Sequence, residues 1–175
     1  MTDPRYPIGP SEPSAAVDED ARRVLLRQLA DSPARLRDAV AGLSDAQLDT
    51  PYRPGGWTVR QVVHHLADAH VNWYVRTRLA LTEHEPVVKN FEETLWAELG
   101  DARSGPVEPS LLLCDGLCSR WVALLESLSA WEWARRMIHP DRGVFVLDQI
   151  LPMHVWHGRH HTAQITALRE RMGWL

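Results

Sequence analysis

Met153-His154-Val155-Trp156-His157-Gly158-Arg159-His160-His161 holds four of the nine histidines of this chain. The stretch belongs to a stripe of helical period: His154, His157, His161, Gln164 or Ile165, Leu168 and Met172 recur at intervals of three and four. Residues so spaced share one helix face. His157 and His161, four apart, can therefore aim both imidazoles at one point, as the histidines of a helical H-x-x-x-H metal site do. The stripe should face the core, which puts these histidines where the helix is buried. Two ligands hold a metal poorly. The other rich stretch, Val62-Val63-His64-His65-Leu66-Ala67-Asp68-Ala69-His70, is the natural source of a third. The expectation is two facing helices that share a metal ion.

The 175 residues, 45% of them apolar, suffice for one domain with a real core. No apolar run approaches the ~20 residues that span a bilayer. The first twenty residues carry four prolines and no apolar block, unlike a secretory signal. With two cysteines and no such signal, a reducing cytoplasm is expected and a disulfide framework is not. A net charge of −4 argues against nucleic acid as a partner. The expected ligand is a small molecule.

Residues 1–17 read as an extended arm and 18–175 as a single helical domain. A helical pattern runs from about Asp18 to Gly42 and is interrupted at Ser32-Pro33. Ser44 to Gln47 can form one short turn. Pro51, Pro54, Gly55 and Gly56 then forbid regular structure. Thr58 with Gln61 three residues on is a capping box, opening a helix from Val59 to about Thr82. Asn90–Leu99 reads as a short helix with Phe91, Leu95, Trp96 and Leu99 on one side. The next long helix, about Pro109 to Leu128, shows a Leu113, Leu117, Trp121, Leu124, Leu128 stripe flanked by Cys114 and Cys118. The cysteines are also four apart and could be soft ligands, but packing is the better reading. A short helix over Ala130–Arg136 precedes a turn at residues 139–143 and an extended piece at 144–146. Asp148 is the candidate N-cap of the last helix, with Pro152 in its first turn and Gly173 as its stop. Four long helices with short extra ones predict an all-α, up-down-type four-helix bundle.

The stretch Thr50-Pro51-Tyr52-Arg53-Pro54-Gly55-Gly56-Trp57-Thr58-Val59-Arg60-Gln61-Val62-Val63-His64-His65-Leu66-Ala67-Asp68 carries a more specific signal. So do Tyr6-Pro7-Ile8-Gly9, Arg120-Trp121, His139-Pro140, Trp156-His157-Gly158-Arg159-His160-His161 and the ending Arg171-Met172-Gly173-Trp174. Together they resemble the YfiT branch of the DinB/YfiT family, whose members are assigned as metal-dependent hydrolases. The resemblance implies a four-helix bundle and three histidine ligands, His65, His157 and His161. It implies one divalent cation per chain, zinc or nickel, and a homodimer. Some members of the family instead act as S-transferases for low-molecular-weight thiols of the bacillithiol or mycothiol type. The chain departs from the family in carrying Gln164 where a further histidine is common, and His154 where relatives have Tyr or another bulky residue.

Three neutral imidazoles leave a divalent ion open to water or substrate, the pattern of catalytic zinc. Such an ion lowers the pKa of bound water to ~7. A thiolate could use the same open position, so the ligands do not separate a hydrolase from an S-transferase, and a non-catalytic metal-binding dimer is the third reading. No glutamate adjoins a ligand as in H-E-x-x-H. Asp68, His64 and Gln164 are the polar candidates beside the ion, with Asp68 placed to orient an imidazole. His64 and His160 point off the ligand face and read as solvent-facing, supporting or interface groups. His70, Asn72, Arg120 and His139 are the candidates for substrate binding.

Overall fold

The computed structural model describes residues 3–11 and 17–174. Of the predicted arm, residues 1, 2 and 12–16 lie outside the described residues. The rest of it makes two tight turns, Tyr6 N–H to Asp3 O at 2.9 Å and Gly9 N–H to Tyr6 O at 3.0 Å.

The first long helical pattern is two helices, α1 (Glu19–Ala30) and α2 (Ser32–Val40), broken where Pro33 opens the second. Asp18 caps α1 through the Ala21 N–H. After the single turn α3 (Asp45–Leu48), the chain doubles back: Pro51 bridges Thr58, and the Tyr52 N–H bonds the Trp57 carbonyl at 3.0 Å. Gly56 permits this fold, since a Cβ there would meet Arg53 Cγ at 2.7 Å. Helix α4 (Val59–Thr82) starts at the expected capping box, with Gln61 Oε1 accepting from the Thr58 N–H at 2.9 Å. Arg60 in its first turn is buried. It binds Asp49, Asp45 and the Gly105 carbonyl, which pins the loop and α3 to the start of α4.

The helix predicted over Asn90–Leu99 is the shorter α5 (Glu93–Ala97), and a second short helix, α6 (Gly100–Ser104), follows it. Its expected apolar side faces out: Leu95 is 64% and Leu99 55% exposed, while Phe91 and Ala97 go in. Phe91 precedes the helix and is not one of its turns, so counting it into the period rotated the face. Helix α7 (Glu108–Glu126) is likewise rotated by about one residue from its expected stripe. Leu113 is exposed, and Leu111, Cys114, Cys118, Trp121, Val122 and Leu125 form the buried line. The cysteines are therefore the middle of the packing face, behaving as small apolar groups.

Helix α8 (Ala130–Trp133) is shorter than expected, because Arg136 begins a strand. Strands β1 (Arg136–His139) and β2 (Gly143–Val146) pair antiparallel around the expected turn, adding a hairpin to the bundle. β1 also holds the loop before α5, through Val88 N–H to Ile138 O at 3.0 Å and Ile138 N–H to Pro86 O at 2.9 Å. Helix α9 (Leu147–Met172) ends at Gly173, φ +66°, as expected. Its N-cap is Val146. Asp148 instead pairs with Arg22 of α1 at 2.8 Å, and Pro152 lies in the second turn.

Helices α1–α2, α4, α7 and α9 make the four-helix bundle: α9 packs on α1, α2 and α4, and α7 on the same three. The core has two apolar centres. One gathers Leu29, Trp121, Met137, Leu147 and Ile150, the other Val59, Val62, Val63, Ile165 and Leu168. The histidine-rich stretches of α4 and α9 lie between these centres.

Candidate metal centre

α4 supplies His65, and α9 supplies His157 and His161 from successive turns. One ring nitrogen of each lies within 4.8 Å of the other two, and His65 Nε2 and His157 Nε2 are 3.2 Å apart. Gln164, one turn beyond His161, accepts from His161 Nδ1–H at 2.9 Å, which leaves His161 Nε2 with its lone pair free. The Gln164 amide N–H₂ donates to the Arg5 carbonyl at 3.1 Å and to His160 Nε2 at 3.0 Å, so the N-terminal segment is tied to the same residue. Trp57, set by the turn before α4, lies 4.7 Å from the His65 ring and stacks over His161 at 6.2 Å.

Burial governs the charge of these rings. It lowers His65 to about 4, and the neighbouring His70 imidazole pushes the same way. It holds His157 and His161 well below the ordinary histidine value, and the neighbouring imidazoles push the same way. Three neutral imidazoles with converging nitrogens would be a poor way to satisfy one another, since two of them meet acceptor to acceptor unless one carries the proton between them. The same donor set suits a borderline-soft divalent cation. The residues present fit such an ion.

The other sequence candidates are placed differently. His64 bonds Ser110 Oγ at 2.8 Å and the Gly105 carbonyl at 3.4 Å, so it ties α4 to α7 and stands apart from the trio. Asp68 makes no hydrogen bond to any of the three histidines. It is on a different face of α4, near Asp101 and Cys114. His70 is buried and donates from Nδ1 to the Leu66 carbonyl at 2.5 Å, behind His154. Asn72 bonds its own helix at the Asp68 carbonyl, and exposed Arg120 lies over the Tyr74 ring. None of these five lines the cavity in front of the trio; His139 does. His160, expected on an outer or supporting face, is 6% exposed and stacked on Trp156 at 4.5 Å. Burial lifts the thiols of Cys114 and Cys118 to about 12, which leaves them protonated and poor ligands.

The cavity holds about 340 Å³, a small-molecule volume. Besides the trio it is walled by Trp57, Trp73, Phe91, Met153, His154 and Trp156, with Arg76, Asn90, Glu93 and Arg142 among its polar groups. Sequence reasoning did not single out Arg76, although Ala69, Trp73 and Arg76 continue the His65 face at intervals of four and three. His154, on the stripe expected to face the core, is 1% exposed with both ring nitrogens unpartnered, between His70 and Trp121.

The DinB superfamily profile matches residues 28–165. A Geobacillus thermodenitrificans protein named "putative metal-dependent hydrolase" is 49% identical over 97% of this chain and 96% of its own length. A Bacillus cereus protein of the same description is 47% identical over 99% and 100%, and YfiT of Bacillus subtilis is 45% identical over 97% and 96%. A solved structure of YfiT, described as "a probable metal-dependent hydrolase with an unusual four-helix bundle topology", superposes with a TM-score of 0.97 at 43% identity, covering 99% of this chain and 100% of that one. With this fold, this histidine cluster and relatives matched over their whole length, the chain belongs to the DinB superfamily, beside YfiT and the proteins that carry the metal-dependent hydrolase name.

Proposed function

We propose that this protein is a metal-dependent hydrolase in which His65, His157 and His161 hold one divalent cation, zinc in preference to nickel. The observation that carries the reading is the convergence of three neutral imidazoles, within 4.8 Å of one another, at a cavity of about 340 Å³. A three-histidine ion supplies Lewis acidity and a nucleophile at neutral pH. The chain's own residues do the rest. Gln164 fixes the tautomer of His161, so that Nε2 faces the centre. Trp57 covers two of the rings and keeps bulk water off them. The aromatic walls receive the apolar part of a small substrate. The two free cysteines are both buried and agree with a cytoplasmic setting.

A second reading, a metal-dependent S-transferase for a low-molecular-weight thiol, is favoured by one observation. Among the described residues no carboxylate is hydrogen-bonded to any of the trio, and a thiolate nucleophile needs no base at that point.

Elemental mass spectrometry of untagged protein tests the site. About one metal per chain is expected, lost in His65→Ala, His157→Ala and His161→Ala; no metal after reconstitution with Zn²⁺ or Ni²⁺ refutes it. Ester and amide panels run beside a thiol plus a halobimane then separate the two chemistries. Metal-dependent hydrolysis that is absent in His157→Ala supports the first. Turnover confined to the thiol assay supports the second.

A further inference from the structure

Among the described residues, Arg76 is a buried cation with no counter-ion. It lies on α4 three helical turns beyond His65, on the same cavity, and is only 4% exposed. Its guanidinium stacks over Trp73 at 4.6 Å and lies 5.9 Å from the Phe91 ring. Nη2 donates to the Lys89 carbonyl at 2.7 Å, while Nε is buried and has no partner. Among the described residues, no carboxylate comes within 4.0 Å of it. Glu93 attracts it only through space, and Arg142, on the same cavity, opposes that attraction.

A guanidinium does not lose its proton inside a protein, and a charge taken out of water without a partner is strongly disfavoured. An arginine left in that state beside a candidate active site points to a partner that arrives with the ligand. We propose that Arg76 anchors a carboxylate carried by the substrate, at the end remote from the reacting bond. Nη1, which makes no hydrogen bond among the described residues and is not closed off from solvent, and the second N–H of Nη2 form the planar fork that a carboxylate fits bidentately. Along the helix axis His65 and Arg76 are about 16 Å apart, and Trp57, Trp73 and Phe91 line the space between. The substrate class is therefore an elongated organic acid with an apolar or aromatic middle. The inference rests on the metal-site reading only in taking this cavity as the place of reaction.

The test titrates zinc-loaded and chelator-stripped protein with ω-phenylalkanoates of increasing length and with their primary amides, read by tryptophan fluorescence. The acids should bind tenfold or more tighter than the amides in both metal states. That preference should vanish in Arg76→Met, which keeps the packing over Trp73, and persist in part in Arg76→Lys. The Tm of Arg76→Met should equal or exceed that of the parent, since an unpaired buried charge is removed. Equal binding of acid and amide, or no binding of either series, overturns the proposal. So does a preference that survives Arg76→Met, or one that disappears on stripping the metal, which would assign the anion to the ion. A fall in Tm with the preference intact would make Arg76 a clamp for the Lys89 loop. Metal content measured on the same samples keeps the two readings apart. Protein that takes up no metal on reconstitution yet still prefers acids refutes the metal site alone, and a metal-loaded hydrolase indifferent to charge refutes the anchor alone.

Discussion

Asp68 is half-buried on α4, and burial, with the negative charge of Asp101 adding to it, pushes its carboxyl up to about 6 from an ordinary 3.8. Between those values the native state holds a proton that the unfolded chain has released. Stability therefore falls as pH rises through that window, and at pH 7 the fold carries an uncompensated carboxylate. Asp68→Asn should stabilise the protein at pH 7 by on the order of 2 kcal/mol, with the gain fading to nothing below about pH 4, where aspartate too is neutral. Urea unfolding at the two pH values checks this; a gain independent of pH would mean the carboxylate is already well solvated. The spacing of Asp68 from His65 suggested an orienting partner for a ligand, yet a residue three further along a helix is rotated by about 60° and here looks toward α6 and α7. Gln164 fills that place for His161, and its contact is visible only once the side chain's rotamer is known.

At the scale of elements, the site depends on how α4 begins. Thr58 Oγ1 accepts from the Gln61 N–H at 3.1 Å while the Gln61 amide caps Thr58 in return. The antiparallel bridge from Thr58 to Pro51 sets Trp57 against the His65 ring. Thr58→Ala should cost about 1 kcal/mol in chemical denaturation, with Thr58→Ser recovering most of it. An unchanged midpoint would show that Arg60 and its two aspartates alone hold this end of the helix. The capping box was legible from two residue types at a fixed spacing, because it is a local interaction. The face of α7 was not, because leucine lies on several sides of that helix. Which line is buried was decided by where α4 and α2 pack, and they accept the narrow Cys114 and Cys118 in preference to Leu113.

At the scale of the molecule, an ion bound by His65 and His157 would join α4 to α9, which otherwise meet through the two apolar centres on either side. A ligand that binds only the folded state stabilises it by mass action, about 4 kcal/mol when free metal is a thousandfold above its Kd. For a domain of this size that is a rise in Tm of roughly 10 °C. Zinc added to stripped protein should produce such a shift, a chelator should reverse it, and His157→Ala should show none. An equal response in His157→Ala would mean that zinc acts elsewhere on the surface.

The helical period, the capping box, the proline breaks and the spacing of His157 and His161 are properties of neighbouring residues. They sufficed for the bundle, for most helix limits and for the pair of imidazoles on α9. The resemblance of the motifs added His65. What needed the tertiary structure was every relation between distant segments: the hairpin that carries His139 to the cavity, the turn that lays Trp57 over the rings, and the burial of Arg76 among aromatic side chains. The physical reason is that burial and electrostatic pairing are set by what packs against a residue, and a one-dimensional pattern names a face without naming its neighbour.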